Sequence, residues 1–106
     1  MKMIRMTHEE AFHQLTDILR CKWTLAILDR IATGSARPAE LERGLDGLTP
    51  KVLHDRLAKL ERYGLLGKQA FDEVPPRTMY SLTERGHKLT EVLADLRRVA
   101  DDWSQS

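Results

Sequence analysis

Thr49, Pro50, Lys51, His54, Asp55 and Arg56 crowd the first turns of one segment of this chain. Their types suit hydrogen bonding to a ligand better than bond breaking. An ammonium can contact a phosphate or a guanine, an imidazole can donate to guanine N7 or O6, and an aspartate can accept from a cytosine amine. Backbone amides at a helix start can also hold a phosphate. Two arginines stand outside the segment. Arg77 follows Val74-Pro75-Pro76 and suits a phosphate or the minor groove. Arg37 precedes Pro38 and suits a phosphate.

Each assignment has a plainer alternative. Lys51, His54 and Asp55 could be a solvated helix face. Arg56, at the edge of the apolar stripe, could form an ion pair with a neighbouring carboxylate. Arg77 could be an ordinary exposed strand arginine. Cys21 is the one cysteine and is read as opening an apolar helix, where a thiol is usually a small buried hydrophobe. As a redox sensor it would need exposure and a depressed pKa, which the neighbouring Arg20 and Lys22 and a helix start could supply.

Other chemistries find no support. His8, His13, His54 and His87 are scattered over different elements and show no zinc spacing, so no metal site is expected. There is no phosphate-cradling glycine loop, no nucleophile elbow and no paired catalytic carboxylates, so neither an enzyme nor a cofactor is expected.

The elements that must position these residues can be read from spacing. Thr7 and Glu10 form a capping-box pattern ahead of a helix from His8 to about Leu19. Lys22 to Thr33 reads as a second, well-buried helix carrying Trp23, Ala26, Ile27 and Ile31, ended by Gly34. Pro38 to Leu45 is a short third helix and Asp46-Gly47-Leu48 a tight turn. Thr49 caps and Pro50 opens a fourth helix that reaches about Tyr63, with Gly64 closing it. Val52, Leu53, Leu57 and Leu60 fall on its inward stripe. Residues 65–72 and 77–82 read as strands around the stiff proline loop. Thr83 caps a last helix from Glu84 to about Trp103. Two helices joined by a short glycine-containing turn, then a hairpin, make a winged helix-turn-helix of mainly α character.

The chain has 106 residues, 42% hydrophobic and 31% charged, which suits one globular domain over 1–106. The helix-turn-helix occupies about 38–63, the wing about 65–82, and the terminal helices about 8–19 and 84–103. Net charge is only +1. It is unevenly placed: between Thr49 and Gln69 five basic residues face two acidic ones, whereas Glu91 to Trp103 holds two against four. A basic middle and an acidic tail fit one DNA-facing surface. The near-neutral total is the best support for an alternative, a winged-helix module that binds protein rather than DNA. A single cysteine fits a reducing compartment. No run approaches the roughly 20 apolar residues of a membrane span. The start Met1-Lys2-Met3-Ile4-Arg5-Met6 is too short and interrupted for a secretory signal. A soluble, cytoplasmic protein is expected.

Several of these residues also carry a family resemblance. Lys22-Trp23-Thr24-Leu25-Ala26-Ile27-Leu28 resembles the second-helix signature of HxlR-type regulators. Glu40-Leu41, Gly47-Leu48-Thr49, Val52-Leu53, Arg56-Leu57, Leu60-Glu61 and Gly64-Leu65 fall where that family places comparable residues. Glu73-Val74-Pro75-Pro76-Arg77 followed by Tyr80-Ser81-Leu82-Thr83-Glu84 is the most specific match. The resemblance runs from about Cys21 to Leu93. It implies a MarR-like transcription regulator that dimerises through its terminal helices and binds an operator, usually palindromic, in double-stranded DNA. Such regulators answer to reactive electrophiles and small metabolites, so a small-molecule or redox effector belongs to the expectation. The chain departs from the pattern in two places. Many members carry a cysteine near the start of the first helix, where this chain has Glu10-Ala11-Phe12-His13, and an aromatic is common where Pro38 stands.

The terminal helices carry more apolar surface than one small core needs. A twofold dimer in which they cross accounts for the excess and matches a palindromic site. Packing within one copy is the alternative. A ligand crevice walled by Trp23 or Phe12 is a weaker reading than simple core packing.

Overall fold

The computed structural model describes residues 6–34 and 37–105. Most of the N-terminal stretch weighed above as a signal, and Ser35-Ala36, lie outside the described residues. Five helices and one hairpin follow in the order α1 (His8–Arg20), α2 (Thr24–Ala32), α3 (Pro38–Gly44), α4 (Pro50–Arg62), β1 (Leu66–Phe71), β2 (Arg77–Leu82) and α5 (Glu84–Ser104). This is a winged helix-turn-helix of the α+β class.

Local signals set the starts of three helices. The Thr7 side chain accepts from the Glu10 amide while the Glu10 carboxylate accepts from the Thr7 amide, both at 3.1 Å. Thr49 and Thr83 cap α4 and α5 in the same way, accepting from Val52 and Gly86. Such caps are each worth about 1 kcal/mol. Pro38 and Pro50 occupy first-turn positions, where the missing N–H costs nothing.

The second helix departs from the reading of its sequence. It starts at Thr24, not Lys22, because Trp23 adopts a left-handed backbone with φ of 76°. Trp23 is therefore the cap of α2 rather than part of its stripe. Its ring lies beside Gly47 in the α3–α4 turn and packs against the core. Cys21, read as opening α2, instead caps the C-terminal end of α1. A left-handed conformation is costly for a residue with a Cβ, so tertiary packing of the indole must hold it.

The core gathers Ile18 from α1, Ile27, Leu28 and Ile31 from α2, Leu41 from α3, and Leu53, Leu57 and Leu60 from α4. Leu65, Leu66 and Tyr80 add the wing's base, and Leu89 and Leu93 the first half of α5. The strands pair antiparallel from Leu66 opposite Leu82 to Phe71 opposite Arg77, so Arg77 sits at the tip of the hairpin, next to the connecting loop. Beyond Leu93, α5 contributes nothing to the core. Every described residue from Ala94 to Gln105 is exposed. The radius of gyration, 15.2 Å, exceeds the roughly 13 Å of a compact domain of this length.

No helix among the described residues is long and apolar enough to cross a membrane.

Candidate nucleic-acid interface

Leu41 on α3 and Leu53, Leu57 and Leu60 on α4 are all buried, which fixes α4 against α3 and turns its other side outward. Leu48 plugs the intervening turn, and Gly47 takes the positive φ of 86° that the turn requires. A second clasp comes from α2, where Arg30 donates to the Gly44 carbonyl at 2.6 Å and satisfies the C-terminal end of α3.

On this scaffold Thr49, Pro50, Lys51, His54 and Asp55 are all exposed along the N-terminal half of α4. Among the described residues Lys51, His54 and Asp55 make no hydrogen bond or ion pair. Three polar side chains of different hydrogen-bonding character are thus presented on one face with no internal partner. Folding itself has little use for them.

Arg56 is half-buried, and its Nε donates to the Lys22 carbonyl at 3.2 Å. The partner is a backbone oxygen in the α1–α2 turn and not a carboxylate. Arg56 ties α4 to the segment bent by Trp23.

Arg77 stacks on the Phe71 ring, 4.2 Å from its centroid, and donates through Nη2 to Glu73 at 3.0 Å. Its Nε is shut off from solvent and has no acceptor. Arg37, the cap of α3, lies 4.0 Å from Glu40. Arg37 and Arg77 face one open cleft of about 530 Å³ between the start of α3 and the wing, lined also by Pro38, Ala39, Glu73 and Pro75. The fold therefore brings two sequence-distant arginines beside a single opening.

The basic middle of the sequence is less available than its count suggests. Lys59 is only 16% exposed and donates at 2.8 Å to Asp17 on α1. The same carboxylate oxygen accepts from the Tyr63 hydroxyl at 2.8 Å, and the Lys59 ammonium also lies 3.1 Å from the Cys21 sulfur. Lys59 is a structural tie between α1 and α4. Cys21, at the end of α1, is half-buried beside it, against a different part of α4 from the one that carries Lys51 and His54. No local signal announces this cluster, whose members are 38 or more positions apart across the two helices.

The charges in the cluster reinforce one another. The Lys59 ammonium, then the Tyr63 hydroxyl, hold the Asp17 carboxyl below its ordinary 3.8. Asp17, then the Cys21 sulfur, raise Lys59 above 10.5. Donation to Asp17 likewise raises the Tyr63 hydroxyl. The stability Asp17 contributes is present above its unfolded value and is lost as pH falls through the lower folded value. That of Lys59 is present below 10.5 and is lost as pH rises through the higher folded value. Asp17→Asn should accordingly be less stable than wild type at neutral pH. Urea unfolding between about pH 6 and pH 2 should show the two proteins converging as acid removes the wild-type advantage. Parallel curves would mean the pair contributes nothing through its charge.

Among the described residues, no group of three or more side chains could hold a metal ion.

Comparison with known proteins fits this architecture. The family model described as HxlR-like helix-turn-helix matches residues 18–106. YvaP of Bacillus subtilis, named an HTH-type transcriptional regulator, is 35% identical over 92 residues, covering 87% of this chain and 85% of that protein. The HTH-type transcriptional regulator sll1512 of Synechocystis is 35% identical over 89 residues, covering 84% of this chain and 66% of its own length. A crystal structure of a MarR-family transcriptional regulator from Enterococcus faecalis superposes with a TM-score of 0.80 at 34% identity, covering 99% of this chain and 96% of that one. Sequence and structure agree over most of the chain: it belongs to the HxlR-like helix-turn-helix family of transcriptional regulators.

Proposed function

We propose that this DNA-binding regulator acts as a twofold dimer, inserting α4 of each copy into the major groove and setting the wing on the flanking backbone or minor groove. It represses by occupying promoter DNA that polymerase needs. The observation that carries this reading is the outer face of α4, where Lys51, His54 and Asp55 stand exposed with no internal partner. Thr49, Pro50 and the amides of the first turn support a phosphate contact there. Arg37 and Arg77 supply backbone or minor-groove contacts at the cleft beside the wing. Arg56, with Nε committed to Lys22, offers only its terminal amines to a phosphate.

The dimer reading rests on two exposed apolar stripes. Val92, Leu96, Val99 and Trp103 follow a four-three-four spacing on α5, with Trp103 78% exposed. Phe12, Leu15 and Leu19 form a shorter stripe on α1. Contiguous apolar stripes of this kind mark an interface rather than ordinary surface. The combined change Leu96→Glu and Val99→Glu alters exposed positions only. It should leave the helical circular-dichroism signal intact and shift sedimentation at micromolar concentration from dimer to monomer. A wild-type monomer under those conditions would sink the dimer.

Selection of bound sequences from a random DNA pool tests the reading as a whole. The expected product is a palindrome with half-sites about one helical turn, roughly 34 Å, apart. Recovery of no enriched sequence, together with affinity insensitive to salt, would favour a protein-binding module instead.

A further inference from the structure

The wing places a carboxylate, Glu73, directly against the arginine read as its DNA contact. Glu73 is half exposed at the hairpin's outer end and accepts one hydrogen bond from Arg77 Nη2 at 3.0 Å. Guanidinium Nη2 and Nε lie on the same edge and together make the fork that grips two oxygens at once. Glu73 fills half of that fork. Nε, on the same edge, is closed to solvent and has no acceptor. The Phe71 ring beneath the guanidinium holds it in place. Arg77 is thus stacked, positioned and only partly satisfied, next to a cleft that it shares with Arg37.

We propose that Glu73 is an internal stand-in for a DNA phosphate. It keeps Arg77 in place in the free protein and gives way when a backbone phosphate enters the cleft between the wing and the start of α3. A phosphate has two free oxygens and can fill both positions of the fork, which Glu73 does not. Arg37, across the cleft, adds a second cation to the phosphate and none to Glu73's contact. The exchange lets the free protein carry a near-neutral wing while still offering a phosphate clamp to DNA. It also sets a threshold, because every wing contact must displace a carboxylate, and weak encounters with arbitrary DNA are disfavoured.

This inference rests on the DNA-binding reading, and the test separates the two. Binding is measured for the full chain with a random-sequence duplex of about 30 base pairs, long enough for two half-sites, across a salt series. Glu73→Gln keeps the shape of the side chain and removes its charge. Asp72→Asn removes the same charge one position away, where no bond to Arg77 exists. Glu73→Gln should bind roughly three- to tenfold tighter than Asp72→Asn, the scale expected for releasing an exposed ion pair in each of two wings. In an Arg77→Ala background the two changes should have equal effects. Unchanged thermal melting of Glu73→Gln shows that the gain is not a folding effect. Glu73→Gln binding no tighter than Asp72→Asn, or an excess that survives Arg77→Ala, overturns the stand-in. A wild-type protein that binds no duplex at any salt overturns the reading beneath it as well.

Discussion

The combined variant Lys51→Ala, His54→Ala and Arg77→Ala should lose sequence-specific DNA binding by about a thousandfold or more while melting within a few degrees of wild type. The size follows from the proposed interface. A good base contact discriminates by roughly 1–3 kcal/mol, and in a twofold complex each substitution removes its contact twice. Loss of that many contacts carries specific binding down toward the non-specific level, which lies about 10³ to 10⁷ below it. The fold should survive, because Lys51 and His54 are exposed and make no hydrogen bond or ion pair. Arg77 loses an exposed ion pair and a ring contact, each worth about 1 kcal/mol or less. Fluorescence anisotropy with the selected operator across a salt series measures the affinity and its salt dependence, and thermal melting followed by circular dichroism checks the fold. Affinity should fall at every salt concentration, and the slope against log salt should become shallower by about one per lost phosphate contact. An affinity within tenfold of wild type would mean that α4 does not read the DNA. Asp55→Ala is a useful companion, because it raises the positive charge of the helix. If that variant binds non-operator DNA better and the operator worse, Asp55 reads a base and does not merely repel phosphate.

The parts of this interface differ in how far the sequence revealed them. Thr49, Pro50 and the leucines of α4 declare their roles within one or two turns, because capping and helical periodicity are local effects. The same holds for Thr7 with Glu10 and for the proline-stiffened wing. Trp23 could not be read this way. Nothing in Lys22-Trp23-Thr24 announces a left-handed backbone, which exists because the indole packs toward Gly47 in another turn. The burial of Lys59 is hidden from the sequence for the same reason. Its charge belongs to a surface by composition, but the fold places it against Asp17, 42 positions away by their numbering. Arg56 reads from its spacing as a phosphate contact, with an ion pair as the alternative, whereas the fold commits its Nε to the Lys22 carbonyl, beside the bend at Trp23. The recurring cause is a partner distant in sequence. Side chains whose partners lie in the adjoining turn are legible, and those whose partners lie in another element are not.

Gly86 carries that point to its sharpest test. It stands in the first turn of α5, where by intrinsic propensity alanine should stabilise the helix by about 1 kcal/mol. The structure demands the opposite. A Cβ at Gly86 would lie 2.2 Å from the Leu65 carbonyl oxygen and 3.3 Å from Leu82. The obstacle is backbone, so no rotamer change relieves it. That carbonyl is also engaged, accepting from the Thr83 amide at 3.0 Å, and Thr83 in turn caps α5 through Gly86 and donates its hydroxyl to Gly64. Moving α5 outward to admit the methyl would stretch the bonds that join the helix to the base of the wing. Gly86→Ala should therefore cost about 3 kcal/mol, at the upper end of overpacking penalties. For a domain of this size that is a fall in Tm of roughly 10–20 °C, compared at one protein concentration because dimerisation would make Tm concentration-dependent. Gly67→Ala is the matched control. Its Cβ would meet only Ser81 Oγ at 3.7 Å, an ordinary contact, so this change should be neutral or slightly stabilising. If Gly86→Ala melts at or above wild type, the close approach of α5 to the wing is wrong. With it would go the rigid joint through which, in the proposed dimer, α5 would fix where the wing meets DNA.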